Sequence, residues 1–251
     1  MKTSGLATTL PSRAPSTFIA PLVDTLQRNP TSVALAGANR AQLTRVAIGL
    51  AERLDPECIW FDLRARMTEP PPWQIPLLRR FPVRRRRTIY VDEMQIDRDA
   101  AGPVDAVLDL ENPVDAEIST LADLMRIPES LREVALNREP GSSPRVFLLT
   151  NAERASAAFE GTQGALRRYI EALNHFGLTA IVTTKSRPRE NVRDFDLAFQ
   201  VEDAPSEDGS GGSVTCLANR DPSFLPAIPP GTRYAVASLE PRTPSPAETD
   251  R

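Results

Sequence analysis

The residues with the clearest chemical promise lie in one short run, Gly37-Ala-Asn39-Arg40-Ala-Gln42-Leu43-Thr44. A loop that cradles phosphates needs a glycine, four further residues and then Gly-Lys-Ser/Thr. Its backbone N–H groups wrap the phosphates, its lysine neutralises them and its hydroxyl reaches Mg²⁺. Here Gly37 and Thr44 stand at the required spacing. Gln42 replaces the second glycine and Leu43 replaces the lysine. Leu43 has neither charge nor donor, and each charge-assisted bond it fails to make is worth about 1.5–3 kcal/mol. That is roughly ten- to a hundredfold or more in affinity. Gln42 adds a Cβ where the backbone must curl closely around phosphate. Arg40 still offers a cation, Thr44 a hydroxyl and the helix start a weak anion field, so residual phosphate binding is the alternative reading.

Other residues could carry different chemistry. Ile89-Tyr-Val-Asp92-Glu93 is an apolar strand ending in two carboxylates, a pair that can hold Mg²⁺ and polarise water. Asp62 ends another apolar run. Arg79, Arg80, Arg84, Arg85, Arg86 and Arg87 form a dense basic cluster, a candidate for nucleic acid. Only Phe81 interleaves it, and the stretch from Asp92 to Glu139 is acidic. A charge contact within the chain or between subunits is therefore the competing reading. His175 has no nucleophile near it in sequence and reads as a packed or solvated residue.

These residues need a scaffold, and the hydrophobic pattern supplies one. Ser32-Val-Ala-Leu-Ala-Gly37 is too apolar to face water and reads as a buried parallel strand. From Asn39 to Leu54, Leu43, Val46, Ala47, Leu50, Ala51 and Leu54 recur at helical spacing, with Asn39 as N-cap. Further strands are expected at 58–61, 88–91, 146–149, 178–182 and 196–201, with a terminal β-pair over 213–217 and 233–239. A helix over 165–176 places Leu166, Tyr169, Ile170 and Leu173 on one face, and Gly177 closes it. Weak helices are expected around 116–126 and 129–137. Five prolines in 66–88 predict a Pro/Arg-rich loop there, and 203–213 reads as a flexible loop. Residues 1–16 and 241–251 read as disordered tails around a single domain, 17–240. Strands alternating with helices predict a mostly parallel α/β sheet covered on both faces.

Composition narrows the classes. The chain has 251 residues, 41% hydrophobic and 25% charged, which suits one medium α/β domain. No apolar run of about 18 residues exists, so no membrane-spanning helix is expected. Two cysteines, Cys58 and Cys216, exclude a disulfide scaffold and suggest a cytoplasmic protein. With one histidine they leave no structural zinc cluster. A net charge of −3 provides no global field for nucleic acid.

The downstream order carries a family resemblance. Val146-Phe-Leu-Leu-Thr150-Asn151 is followed by Leu166 to Thr184, with Gly177-Leu-Thr-Ala-Ile-Val-Thr-Thr184, and then by Asp194-Phe-Asp196-Leu-Ala-Phe-Gln-Val201. Together with the strand–Gly37–helix, this resembles the RecA superfamily, and within it the KaiC-like ATPases, over roughly residues 30–240. The resemblance implies a three-layer α/β/α fold with a C-terminal β-hairpin. It also implies an ATP/Mg site made by a P-loop at 37–44 and a Walker B carboxylate at position 150, which here is threonine. Asp62 would match the family's acidic catalytic position. With Gln42, Leu43 and Thr150 at those places, the expectation is a pseudo-ATPase with no cofactor. Such a chain would regulate or scaffold through a protein partner or self-association. The alternatives are an ATPase working through Arg40, Thr44, Asp92 and Glu93, or a recombinase-type accessory protein holding nucleic acid on Arg79–Arg87.

Overall fold

A computed structural model of the chain describes residues 23, 26, 30–56, 58–64, 70–80, 86–90, 116–117, 126–127, 145–155, 165–185, 195–203, 212–220 and 228–235. The opening apolar run forms β1 (Ser32–Ala36), every residue of it buried. A short turn leads into α1 (Arg40–Leu54). Then follow β2 (Ile59–Arg64), the six-residue α2 (Ile75–Arg80) and β3 (Arg86–Tyr90). Next come β4 (Ala116–Glu117), β5 (Val146–Thr150) and a 3₁₀ turn over Ala152–Ala155. The chain continues through α3 (Ala165–His175), β6 (Thr179–Thr184) and β7 (Leu197–Asp203) to β8 (Gly212–Asn219) and β9 (Arg233–Ala235).

The strands form one nine-stranded sheet in the order β4-β3-β2-β5-β6-β1-β7-β8-β9. Pairing is parallel from β4 to β7, and β8 and β9 add antiparallel at the far edge. The fold is therefore α/β with a mostly parallel sheet and an antiparallel terminal pair. β1 lies between β6 and β7 with both edges paired, which its continuous apolar character requires.

The helices take opposite faces. Leu43, Val46, Leu50 and Leu54 of α1 share a core with Val33, Leu35, Trp60, Leu148, Ile181 and Phe199 from alternate strand positions. On the other face Tyr169 of α3 meets the Phe147 ring edge-on at 6.1 Å, and Phe147 lies 4.8 Å from Phe61. The α3 stop is a complete Schellman pair: Leu178 N donates to Leu173 O, and Gly177 N to Asn174 O, both at 3.0 Å. Gly177 holds φ at +81°, the left-handed conformation that only glycine adopts cheaply.

Several boundaries differ from the sequence reading. The Pro/Arg-rich segment 66–88 is not one loop, because α2 occupies Ile75–Arg80 and β3 starts at Arg86. Prolines cluster before and at the start of that helix, where a missing N–H costs nothing. Ala116–Glu117 is a strand rather than the start of a helix over 116–126, since pairing with Ile89–Tyr90 overrides a weak helical pattern. Asp203 and Gly212–Ser213 belong to β7 and β8, so the loop between them is shorter than 203–213. The tails 1–16 and 241–251 and the expected helix over 129–137 lie outside the described residues. Among the described residues no helix is long and apolar enough to cross a membrane.

Candidate functional site

In a parallel sheet, ligands bind beyond the carboxyl ends of the strands, in crevices where the connections from two neighbouring strands leave away from each other. Two adjacent pairs here meet that condition. From β2 the chain goes on to β3, while from its neighbour β5 it goes the other way, to β6. From β1 it goes back towards β2, while from β7 it goes outward to β8. The candidate residues divide between these two crevices.

At the β1 crevice the connection is only Gly37-Ala38-Asn39. Asn39 is extended, with φ −90° and ψ 102°, and its side chain accepts from Gln42 N at 3.2 Å. The first helical bond runs from Leu43 N to Asn39 O at 3.0 Å. Gln42, Leu43 and Thr44 are thus wound into the first turns of α1 and are 8%, 2% and 2% exposed. Leu43 is a core side chain. Gly37 has its own reason to be glycine, since a Cβ there would sit 2.6 Å from the Val201 carbonyl oxygen of β7. Its N–H donates to Thr184 O at 3.3 Å. Asn39 Nδ2 donates to Asp203 Oδ2 at 3.1 Å, tying the same turn to the end of β7.

Arg40 is neither a free cation nor a merely solvated one. Its Nη2 lies 2.8 Å from Oε1 of Glu153, in the 3₁₀ turn after β5. The other oxygen, Oε2, accepts from Lys185 N at 3.3 Å. One carboxylate therefore bridges the start of α1, the turn after β5 and the end of β6. An incoming phosphate would meet that negative charge beside Arg40.

The β2/β5 crevice holds a buried polar cluster. Asp62 and Thr150 are register partners, and both are 0% exposed. Thr150 Oγ1 donates to Asp62 Oδ1 at 2.8 Å, and Asn151 Nδ2 donates to the same oxygen at 2.7 Å. Gln74 Nε2 donates to Asp62 Oδ2 at 2.7 Å. Trp60 Nε1 donates to Thr150 Oγ1 at 2.9 Å, so that hydroxyl both accepts and donates. Asn151 has φ +60°, the left-handed region that asparagine tolerates better than most residues, and its N–H donates to Thr183 Oγ1 at 3.0 Å. Both Asp62 oxygens are already engaged by protein donors. The arrangement positions the segment before α2 and the corner after β5.

Sequence reasoning named Asp62 and Thr150 but missed Gln74, Trp60 and Glu153 as their neighbours and Arg40's. The available signal was that Asp62 and Thr150 each follow an apolar run, Ile59–Phe61 and Val146–Leu149. Gln74 comes from a proline-rich segment with no periodicity to read. The six arginines are divided between elements: Arg79 and Arg80 in α2, Arg86 and Arg87 in β3. Arg84 and Arg85, like Asp92 and Glu93, lie outside the described residues. His175 is exposed at the last turn of α3, and its ring meets Phe176 edge-on.

Among the described residues no group of three or more His, Cys, Asp or Glu is placed to hold a metal. A groove of about 220 Å³, bounded by Leu26, Leu54, Arg145 and Thr179, lies at the opposite, amino end of the strands. Shifted acidities also fall away from the two crevices. Burial pushes the Cys216 thiol up to about 11, against a smaller lowering by its bond to the Ala218 carbonyl. Burial likewise raises Tyr169 and Tyr234.

Compared with known protein families, the chain matches no family profile, and no curated protein is significantly similar to it.

Proposed function

We propose that this chain is a RecA/KaiC-like pseudo-ATPase, a non-catalytic regulatory or scaffold protein that acts through protein–protein contacts. The observation that carries this reading is the conformation of 37–44. The span that a P-loop would hold open around phosphates is a three-residue turn followed by helix, with Leu43 and Thr44 buried in it. Supporting it, Thr150 stands where the resembled family has its Mg²⁺ carboxylate, and its hydroxyl is committed to Trp60 and Asp62. The one cation at the turn, Arg40, is paired with Glu153. The mostly parallel α/β sheet with its closing antiparallel strands supports the reading at the level of fold class.

Thermal melting with and without millimolar Mg-ATP tests the reading. Binding at a hundred times the dissociation constant would stabilise the fold by about 2.7 kcal/mol, a shift of several degrees. The expected result is an unchanged midpoint. A clear upward shift, or Mg²⁺-dependent ATP turnover by purified protein, would overturn it.

A further inference from the structure

Gln74 is buried the wrong way round for its surroundings. The segment Pro70–Arg80 is rich in proline, tryptophan, isoleucine and leucine. Yet of its described side chains only Gln74, 3% exposed, is buried. Pro72, Ile75, Pro76 and Arg79 are exposed, and Trp73 is half-buried. Among the described residues, the 2.7 Å bond from Gln74 Nε2 to Asp62 Oδ2 is the one hydrogen bond that joins this segment to the sheet. Packing normally holds a segment by its apolar side chains and leaves the polar ones to water. Here the attachment is polar, a single hydrogen bond to a carboxylate.

The two oxygens of Asp62 are served from different sides. Thr150 Oγ1 and Asn151 Nδ2, at and just after the end of β5, donate to Oδ1. Oδ2 takes the Gln74 amide. The first two donors move only if the sheet moves. The third belongs to a unit of its own, because the Gln74 N–H closes a turn on Pro71 O at 2.8 Å and α2 follows at once. A region that buries few apolar side chains opens at a free energy far below that of the whole fold. Beneath it lies the β2/β5 crevice, the kind of place where parallel sheets take their ligands.

We propose that Pro70–Arg80 is a cover over this crevice, latched by Gln74 on Asp62, which lifts while the sheet stays folded and bares the Asp62 carboxylate. The latch is the donor of the amide, not the bulk of the side chain. This goes beyond the pseudo-ATPase reading: the cover lifts whether or not nucleotide binds, so melting with Mg-ATP decides the one and leaves the other untouched.

Thiol labelling of the full chain tests it. Thr150→Cys places a probe beneath the latch, and the native Cys58 and Cys216, both buried, report global unfolding. The probe should label faster than either native thiol. Gln74→Met keeps the length and loses the donor. It should speed labelling of the probe roughly tenfold or more, the worth of a hydrogen bond to a charged group, and leave Cys58 and Cys216 at their parent rates. Gln74→Lys returns a donor of similar reach and should label at the parent rate. A probe that reacts only in step with Cys58 and Cys216 overturns the proposal. So does a Gln74→Met rate equal to the parent's, or a Gln74→Lys rate equal to that of Gln74→Met. If Thr150→Cys does not fold, Trp60 carries the same test in a Trp73→Phe chain, where it is the sole tryptophan. It is fully buried, two positions before Asp62. Its quenching by acrylamide should rise with Gln74→Met and stay low with Gln74→Lys, and equal quenching in the two overturns the cover.

Discussion

Thr150 shows how one residue type decides what its neighbours can be. Its hydroxyl takes the Trp60 indole proton and gives its own to Asp62, all of it buried. Thr150→Val keeps the shape and removes both bonds. We expect a loss of about 1–3 kcal/mol of stability, the cost of leaving buried partners unsatisfied, measured by urea denaturation with unchanged m-value. A carboxylate at position 150 would set two acids side by side, with like charges opposing each other. Part of this was legible in the sequence: Asp62 and Thr150, each closing an apolar run, are plain. So is Leu43, the first residue of the helical stripe behind the Asn39 N-cap; that Gln74 would reach Asp62 was not, because nothing periodic marks its proline-rich segment. The start of α1 is fixed by Asn39, whose side chain caps Gln42 N.

Elements were read well where two faces were buried, as in β1, β5, β6 and β7, since each apolar run has one solution. Among the described residues between 66 and 139 the strand expected at 88–91 is present as β3, whereas α2 and β4 went unread, because prolines and charges there outnumber periodic positions. The two-residue β4 owes its existence to β3 alone, so no local pattern could announce it. At this scale Gly37 is the most sensitive junction. It lets the end of β1 approach β7, where a methyl group would lie 2.6 Å from a backbone carbonyl that cannot rotate away. Gly37→Ala is expected to cost about 1–3 kcal/mol, the usual cost of overpacking. It should lower the melting midpoint, whereas the reverse exchange at the neighbouring exposed position, Ala38→Gly, should have little effect.

Across the whole molecule, buried acids with raised pKa make the fold sensitive to alkali. Cys216 moves from an ordinary 9.0 to about 11, and Tyr169 and Tyr234 also move upward from 10.0. The folded chain holds these protons after the unfolded chain has released them. Their contribution is therefore intact below about pH 9 and is lost progressively as pH rises towards 11 and beyond. Melting midpoints measured from pH 8 to 11 should be flat at first and then fall. Cys216→Ala should soften the first part of that fall. An upward trend would contradict the burial of these groups.

The place of β1 has a consequence for how the chain is made. β1 is made well before either of its sheet neighbours, β6 and β7: Ser32 is laced to Asp196, 164 residues later, by its N–H and its hydroxyl. Until then a fully apolar ribbon waits with both hydrogen-bonding rims bare, a state prone to sticking to its like. Synthesis halted anywhere before β7 leaves the sheet open at its middle instead of at its rim. Shortened versions of this protein should therefore fail as aggregates, not survive as smaller folded units.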